Sequence, residues 1–447
     1  MSVVISILLV LVMLGVLSTA HELGHFFVAK LLKVKAYEVS IFVGPVLFKW
    51  HRNGVDYSIR CIPIGAYVRF SEIDDEGKPV ESDDPSLLIN QPRWRRLIIA
   101  VAGPLVNLFL GMLIFFVFSL ATGYTPLNVG VAEEGSQLYG QEYTPGDKIC
   151  AIDGRSVYTS DELSIYFQMK GELDPVVLTL KSEKTGEKYD VTLTPAITRY
   201  PRIGITRMGD EFSDKEGWEL VETWNEETPV LKKGDVLLSI DGHSTKDSED
   251  ASNYLSECKE GEMVHVVYLR EGLEGEQEGD VKVFGVDTVN ALGTNLEEHE
   301  VRSFKEFLGA AEYSLKMPLS ILRMTGVVIS NAFKGEVEAY KVVSGPVGVV
   351  NVVDTVVSSE EVGTGIKVST LVMLAGMISV ALTISNLLPL PGLDGSQIII
   401  LVVEMVIGRR LPRKAENIIT IVGFFVLIGL VILAFASDIA KIIFEGW

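Results

Sequence analysis

Positive charge is what this sequence lacks most. Its 39 lysines and arginines stand against 59 acidic residues, a formal net charge of −20. No stretch forms a basic surface domain, which argues against a nucleic-acid binder, since phosphate contacts need clustered Lys and Arg. Cysteine is nearly absent too. Cys61, Cys150 and Cys258, with no CxxC pair, build neither a disulfide framework nor a thiolate metal site. Charged residues are scarce at 22%, whereas apolar residues reach 48% and the mean hydropathy is +0.31, so disordered and collagen-like classes are excluded. A soluble globule with that hydropathy would not carry −20, so the apolar and acidic residues must be segregated. Residues 131–310 hold 18 basic and 38 acidic residues, so one block carries the whole net charge and the rest of the 447-residue chain balances to zero. That length predicts two or three domains.

Four segments are long and apolar enough to cross about 30 Å of hydrocarbon: Val3–Ala20, running on past a short polar patch to Leu32; Leu97–Ala121; Val368–Leu390; and Ile418–Ala436. The first has no basic n-region and no A-x-A site, which favours a retained helix over a cleavable signal peptide. Ile398–Ile407 is apolar but only ten residues long, which suits a partial or re-entrant helix. Lys30, Lys33 and Lys35, then Arg93, Arg95 and Arg96, then Arg409, Arg410, Arg413 and Lys414 flank the spans. By the positive-inside rule these loops are cytoplasmic, and the acidic block and both termini lie outside.

The acidic block repeats itself. Gly146-Asp147-Lys148-Ile149-Cys150-Ala151-Ile152-Asp153-Gly154 returns 88 residues later as Gly234-Asp235-Val236-Leu237-Leu238-Ser239-Ile240-Asp241-Gly242. Each copy reads as a turn, a short strand and an Asp-Gly turn, followed by a helical stretch at Ser160–Met169 and Ser248–Cys258. The pair resembles tandem PDZ domains, a resemblance that leaves open whether the copies bind peptides or serve as spacers.

His21-Glu22-Leu23-Gly24-His25 is an HExxH pattern: two His at i and i+4 share a helix face and can bind zinc, with the adjacent Glu as general base. Ionisable groups deep in an apolar span are functional by default. A catalytic zinc needs a third protein ligand, yet no His follows His25 until His51. The run Asn386-Leu387-Leu388-Pro389-Leu390-Pro391-Gly392-Leu393-Asp394-Gly395 breaks a hydrophobic span, and such backbone is tolerated at membrane depth only where it lines a cavity. Asp394 therefore reads as the third ligand, a role that can coexist with capping the short helix that follows.

Together these features resemble the site-2 protease family of zinc intramembrane metalloproteases, in its regulator-of-sigma-E type, over essentially the whole chain. The resemblance implies one zinc ion on His21, His25 and Asp394, acid/base work by Glu22, and substrate positioning by Asn386, Pro389 and Pro391. It also implies single-span membrane substrates such as anti-sigma factors or signal-peptide remnants, and a bacterial cytoplasmic (inner) membrane setting with the active site near the cytoplasmic side. Two positions depart from the common pattern: Ser396-Gln397 after the Asp-Gly, and Ala66 in Gly65-Ala66-Tyr67-Val68.

Tyr37–Phe48 and Val55–Phe70 are rich in β-branched and aromatic residues around Gly44-Pro45 and Asn53-Gly54, and predict a β-hairpin. Its sheet edge could take an extended peptide, and the resemblance places the hairpin at the membrane. Gly103-Pro104 with Asn107 suits close helix approach or the pairing of broken backbone. Ala311–Phe333 reads as an interfacial helix. The expected fold is thus a polytopic α-helical membrane protein with four transmembrane helices, a membrane-associated β-hairpin and two extracytoplasmic PDZ-like α+β domains. Its divisions are residues 1–125, 126–220, 221–306 and 307–447. A non-catalytic adaptor would have no use for Glu22, and a transporter would show several polar spans and inverted repeats.

Overall fold

A computed structural model describes the chain except residues 1, 72–82, 170–172, 208–216, 226, 247, 297–298, 336–344, 360–362 and 446–447. The chain divides into two compact units: the second is essentially Leu127–Glu297, and the first is the chain on either side of it.

The first unit is helical. Helix α1 (Ser2–Leu31) leads into a hairpin of β1 (Glu38–Arg52) and β2 (Val55–Arg69), then α2 (Arg93–Thr122). Among the described residues of this unit, four helices are long and apolar enough to cross a membrane, at Val3–Leu31, Arg93–Thr122, Thr364–Leu387 and Ile421–Lys441. Helix α2 is the hub: Ile99, Ala100, Ala102, Gly103, Pro104, Asn107, Gly111, Phe115 and Ser119 are buried along its length. Small residues let backbones approach where lipid offers no hydrophobic drive. A Cβ on Gly24 would lie 2.8 Å from the Ala102 carbonyl oxygen, and one on Gly111 2.8 Å from Val380 Cγ2.

The hairpin twists through several register irregularities. Asn53 (φ 51°) and Gly54 (φ 78°) form its turn, both in the left-handed region that two-residue hairpin turns require. Val46, Leu47, Phe48 and Trp50 of β1 are exposed, while Val39, Val55, Tyr57 and Val68 pack in one cluster with Phe26 of α1. Gly15 lets the hairpin lie against the middle of α1, since a Cβ there would meet the Phe42 ring at 2.6 Å.

The second unit holds two copies of one α+β pattern. The first has β3 (Lys148–Ile152), β4 (Arg155–Ser156), α3 (Ser160–Met169), β5 (Val176–Lys181) and β6 (Lys188–Leu193), with sheet order β4-β3-β5-β6. Next come β7 (Ile197–Arg202), β8 (Ile205–Arg207), β9 (Trp218–Thr223), β10 (Val236–Ile240), β11 (His243–Ser244), α4 (Ser248–Glu257), β12 (Met263–Leu269), β13 (Gln277–Lys282) and β14 (Phe284–Val289). The second sheet runs β13-β12-β10-β9-β8, with β11 on β10, and β7 pairs β14 apart from both.

The 88-residue repeat persists in three dimensions. Asp153 and Asp241 both have positive φ ahead of a positive-φ glycine, the turn that closes β3–β4 and β10–β11. Each carboxylate then accepts the same two bonds. Val177 N–H and Tyr166 Oη donate to Asp153 at 2.8 and 2.9 Å, and His265 N–H and Tyr254 Oη donate to Asp241 at 2.9 and 2.7 Å.

Core and sheet membership cross residue 220. Ile203, Trp218 and Leu220 belong to the second core, and β8 and β9 to the second sheet. The first core is closed by Leu292 and Leu296 from beyond the second copy, with Gly130 N–H bonded to the Thr294 carbonyl at 3.0 Å. One copy is nested in the other, so neither maps onto an unbroken stretch of sequence.

After the second unit, α5 (Phe304–Lys334) opens with a capping box between Ser303 and Glu306. It covers the stretch expected as an interfacial helix. Next are α6 (Pro346–Ser358), α7 (Thr364–Leu387), α8 (Asp394–Ile407) and α9 (Arg413–Glu445). Three backbone N–H groups at the start of α6, from Gly345, Val347 and Gly348, converge on Asp438 of α9. Ser344 lies outside the described residues. At 14 residues α8 rises about 21 Å, too short to span alone.

Candidate metal centre

The site begins with helical spacing. His21 and His25 are four residues apart on α1, so both imidazoles leave one face. Each is 7% exposed, and the rings meet edge-on with centroids 4.8 Å apart. Asp394 arrives from the opposite end of the sequence as the first residue of α8. Its Oδ2 lies 2.9 Å from His21 Nε2 and 3.4 Å from His25 Nε2, and the two Nε2 atoms are 3.2 Å apart.

The chain between α7 and α8 brings Asp394 there. Pro389 and Pro391 have no N–H to continue a helix, so α7 stops at Leu387 and a tight turn follows, closed by Leu393 N–H on the Leu390 carbonyl at 3.1 Å. Gly395 is required by space: a Cβ would fall 2.2 Å from the Leu388 carbonyl oxygen. Ser396 donates to the Leu393 carbonyl at 2.9 Å, so this departure from the family pattern makes a local turn bond. The far end of α8 is held by buried Glu404, which accepts the Leu411 N–H at 2.9 Å and faces Arg93 Nε at 3.6 Å.

Hydrogen bonds fix which atoms point inward. A carbonyl only accepts, so His25 Nδ1–H donates to Ile99 O at 2.7 Å, which leaves Nε2 of the neutral ring as a lone pair. The Asn386 amide lies 3.4 Å from His21 Nδ1. Two imidazole nitrogens and a carboxylate oxygen therefore converge within 4.8 Å of one another, a set that matches the nitrogen and oxygen ligands of zinc. Gly103 of α2 closes this space, because a Cβ there would lie 2.3 Å from His25 Nε2 and 2.7 Å from His21 Nε2. The residues present fit a zinc ion.

Glu22 sits beside this set, and its Oε2 accepts the Val68 N–H of β2 at 3.1 Å. The hairpin thereby touches the reaction side of α1. Of the three residues expected to position substrate, Asn386 reaches His21. Pro389 is exposed, and Pro391 is buried against Gly423 of α9. Ala66 lies within β2, paired with Ile41. Three contributions were not foreseen: the Ile99 carbonyl, the Val68 N–H and the place of Gly103 above the imidazoles. Only Gly103 left a signal, as a glycine inside an apolar span. The expectation that Asn107 could pair broken backbone is not met. The Pro104 carbonyl is taken by Thr383 Oγ1 at 3.2 Å, and the Asn107 side chain bonds to no backbone group among the described residues.

Comparison with known proteins gives a family match and several named relatives. The model of peptidase family M50 matches residues 9–430. Relatives named "Putative zinc metalloprotease" include one from Clostridium acetobutylicum, 27% identical over 435 residues and covering 97% of both chains. Another, from Thermotoga maritima, is 26% identical over 510 residues and covers 97% of this chain and 98% of its own. A third, from Xylella fastidiosa (strain Temecula1), is 26% identical over 461 residues with the same coverage.

Proposed function

From the premise that the chain belongs to peptidase family M50, a family of zinc-dependent site-2 type proteases, we propose that it cuts single-span membrane proteins in or near their transmembrane segments. The observation that carries this reading is the convergence of His21, His25 and Asp394 within a bundle of apolar helices. His21, His25 and Asp394 are the ligands, one ion per chain, and Glu22 is the acid/base. Zinc bound there supplies a Lewis acid that polarises a carbonyl and acidifies water.

Glu22 takes the proton from water as it adds to the peptide carbonyl, then returns it to the leaving nitrogen. The Val68 N–H orients the carboxylate for both transfers. His25 stays in one tautomer through Ile99, and Asn386 holds His21. A substrate helix hides its carbonyls in its own hydrogen bonds, so it must unwind, and unwound backbone in lipid needs partners. The β1–β2 edge supplies them, helped by a hairpin whose exposed Val46, Leu47 and Phe48 suit the membrane and which lies against mid-span Gly15. Asn386 and the proline turn position the unwound strand.

The two α+β copies read as PDZ-like domains, supported by their shared turn and Asp–Tyr bonding. The basic residues flanking the spans support a location for them outside a bacterial cytoplasmic membrane, with the metal near its cytoplasmic side. Anti-sigma factors already shortened outside, or signal-peptide remnants, fit as substrates. The test is to incubate the purified protein with a library of single-span segments, with and without a zinc chelator. Products that vanish on chelation and return with zinc support the reading; cleavage unaffected by chelation refutes it.

A further inference from the structure

Helix α8 carries Asp394 as its first residue, and its apolar surface does little to fix which way it faces. Ile399, Val402, Val403, Met405, Val406 and Ile407 are exposed, and beyond Gly395 and Ser396 only Leu401 and Glu404 are buried. Lipid tails are as apolar as leucine, so turning such a helix about its axis gains or loses little apolar contact. The proline turn anchors the start of α8. A carboxylate about 5 Å from the helix axis still moves about 0.2 Å for every 2° of rotation, which is the whole tolerance of a metal–ligand distance.

Glu404 supplies an orientation. It is 2% exposed, its Oε1 accepts the Leu411 N–H at 2.9 Å, and its Oε2 faces Arg93 Nε at 3.6 Å as an ion pair without a hydrogen bond. Arg93 Nη2 donates to the Gly408 carbonyl at 3.3 Å, and Arg410 Nη2 to that of Ile89 at 2.8 Å, so the turn after α8 is tied to the start of α2 from both sides. The spacing is matched. Helices α2 and α8 run antiparallel, with Gly103 and Asp394 against the same imidazole nitrogens at one level and Arg93 and Glu404 facing each other at the next. Each interval is ten residues, a rise of about 15 Å.

We propose that the Glu404–Arg93 pair locks the register and rotation of α8 on α2 and thereby aims Asp394 at the metal. These are positioning residues, touching neither metal nor substrate, and they act through Asp394. The proposal rests on the reading of His21, His25 and Asp394 as the ligand set. A buried ion pair is a poor source of stability and a better source of register, because any other rotation of α8 leaves both charges without a partner.

The test uses the full-length protein in detergent and reads zinc affinity across a chelator series together with thermal unfolding. Glu404→Ala should weaken zinc binding by at least ~10-fold, the scale for groups behind a metal's ligands. Arg93→Leu combined with Glu404→Leu should unfold near the wild-type temperature, since an apolar replacement of a buried pair is often neutral or better, and should bind zinc as weakly as Glu404→Ala. That double variant also serves if Glu404→Ala fails to fold. Wild-type zinc affinity in it overturns the proposal and makes the pair a helix anchor only. A cycle with Asp394→Ala decides the route: Glu404→Ala should change the residual affinity of Asp394→Ala no further, whereas an equal loss in both backgrounds refutes action through Asp394. If Asp394→Ala itself keeps wild-type affinity, the ligand assignment falls and the lock with it. If Asp394→Ala weakens zinc and Glu404→Ala does not, the lock alone falls.

Discussion

Gly103→Ala should weaken zinc binding at the metal centre while leaving the helices in place. The substituted methyl would lie 2.3 Å from His25 Nε2, 2.7 Å from His21 Nε2 and 2.7 Å from His25 Cε1. Heavy-atom contacts settle near 3.5 Å, so an overlap of about 1.2 Å must be relieved. Neither side yields easily: His25 is tied to Ile99 O at 2.7 Å and Asp394 opens a helix pinned at its far end through Glu404. Metal–ligand distances tolerate only about 0.2 Å, so moving either ring by even half the overlap breaks the set. Overpacking of this kind costs on the order of 1–3 kcal/mol of stability, and zinc affinity should fall by at least ~10-fold to 100-fold. The assay is zinc per protein by mass spectrometry across a chelator series, alongside thermal unfolding and cleavage of a single-span substrate. Gly111→Ala is the control, because its methyl meets Val380 Cγ2 at 2.8 Å, two turns from the His pair. It should lower stability and keep zinc. If Gly103→Ala binds zinc stoichiometrically with unchanged affinity, the ligand geometry argued from these contacts is wrong.

Glu22→Gln should keep stoichiometric zinc, since His21, His25 and Asp394 remain, and lose on the order of 10²-fold to 10⁴-fold in turnover, the span for general acid–base groups; equal activity would remove Glu22 from the mechanism. Asp394→Ala should lose tight zinc binding as well as activity, because two imidazoles alone under-coordinate the ion, whereas Asn386→Ala should keep more of the metal. Replacing residues 127–297 with a flexible linker of about four residues should preserve zinc content: every ligand lies in the first unit, and the bridge between Tyr124 and His299 keeps the cut ends together. For the isolated second unit the prediction concerns pH. Asp147 is opposed by burial but accepts from Tyr189, Glu183 and Thr144, which holds its carboxyl below the ordinary value; burial, and then the bond to Asp147, pushes the Tyr189 hydroxyl up to about 12. Its stabilisation is full above the unfolded value near 4 and is lost as pH falls through the lower folded value. Thermal melts of Asp147→Asn should therefore show a weaker decline below about pH 4 than wild type; an unchanged decline would exclude Asp147 as its source.

The sequence by itself determined the local features, because they depend on residues a few positions apart. Four apolar runs, the i, i+4 histidines, the Asn53-Gly54 hairpin turn and the Asp-Gly repeat all follow from periodicities of helix and strand and from which residues tolerate positive φ. It also singled out Asp394, since two prolines and a glycine in an apolar run are a local anomaly. Tertiary structure decided what depends on approach between segments distant in the chain. Nothing near His25 announces that its tautomer is set by Ile99 O, seventy-four residues on. The Val68 N–H that meets Glu22 carries no side-chain signal at all. The nesting of one α+β copy in the other escaped the repeat because Leu292 and Leu296 complete a core begun at Leu127, and packing across such a gap leaves no periodicity in the sequence. Gly103 shows the boundary most clearly: its lack of a side chain was legible, but that the space it leaves belongs to two imidazoles is a fact of helix packing alone.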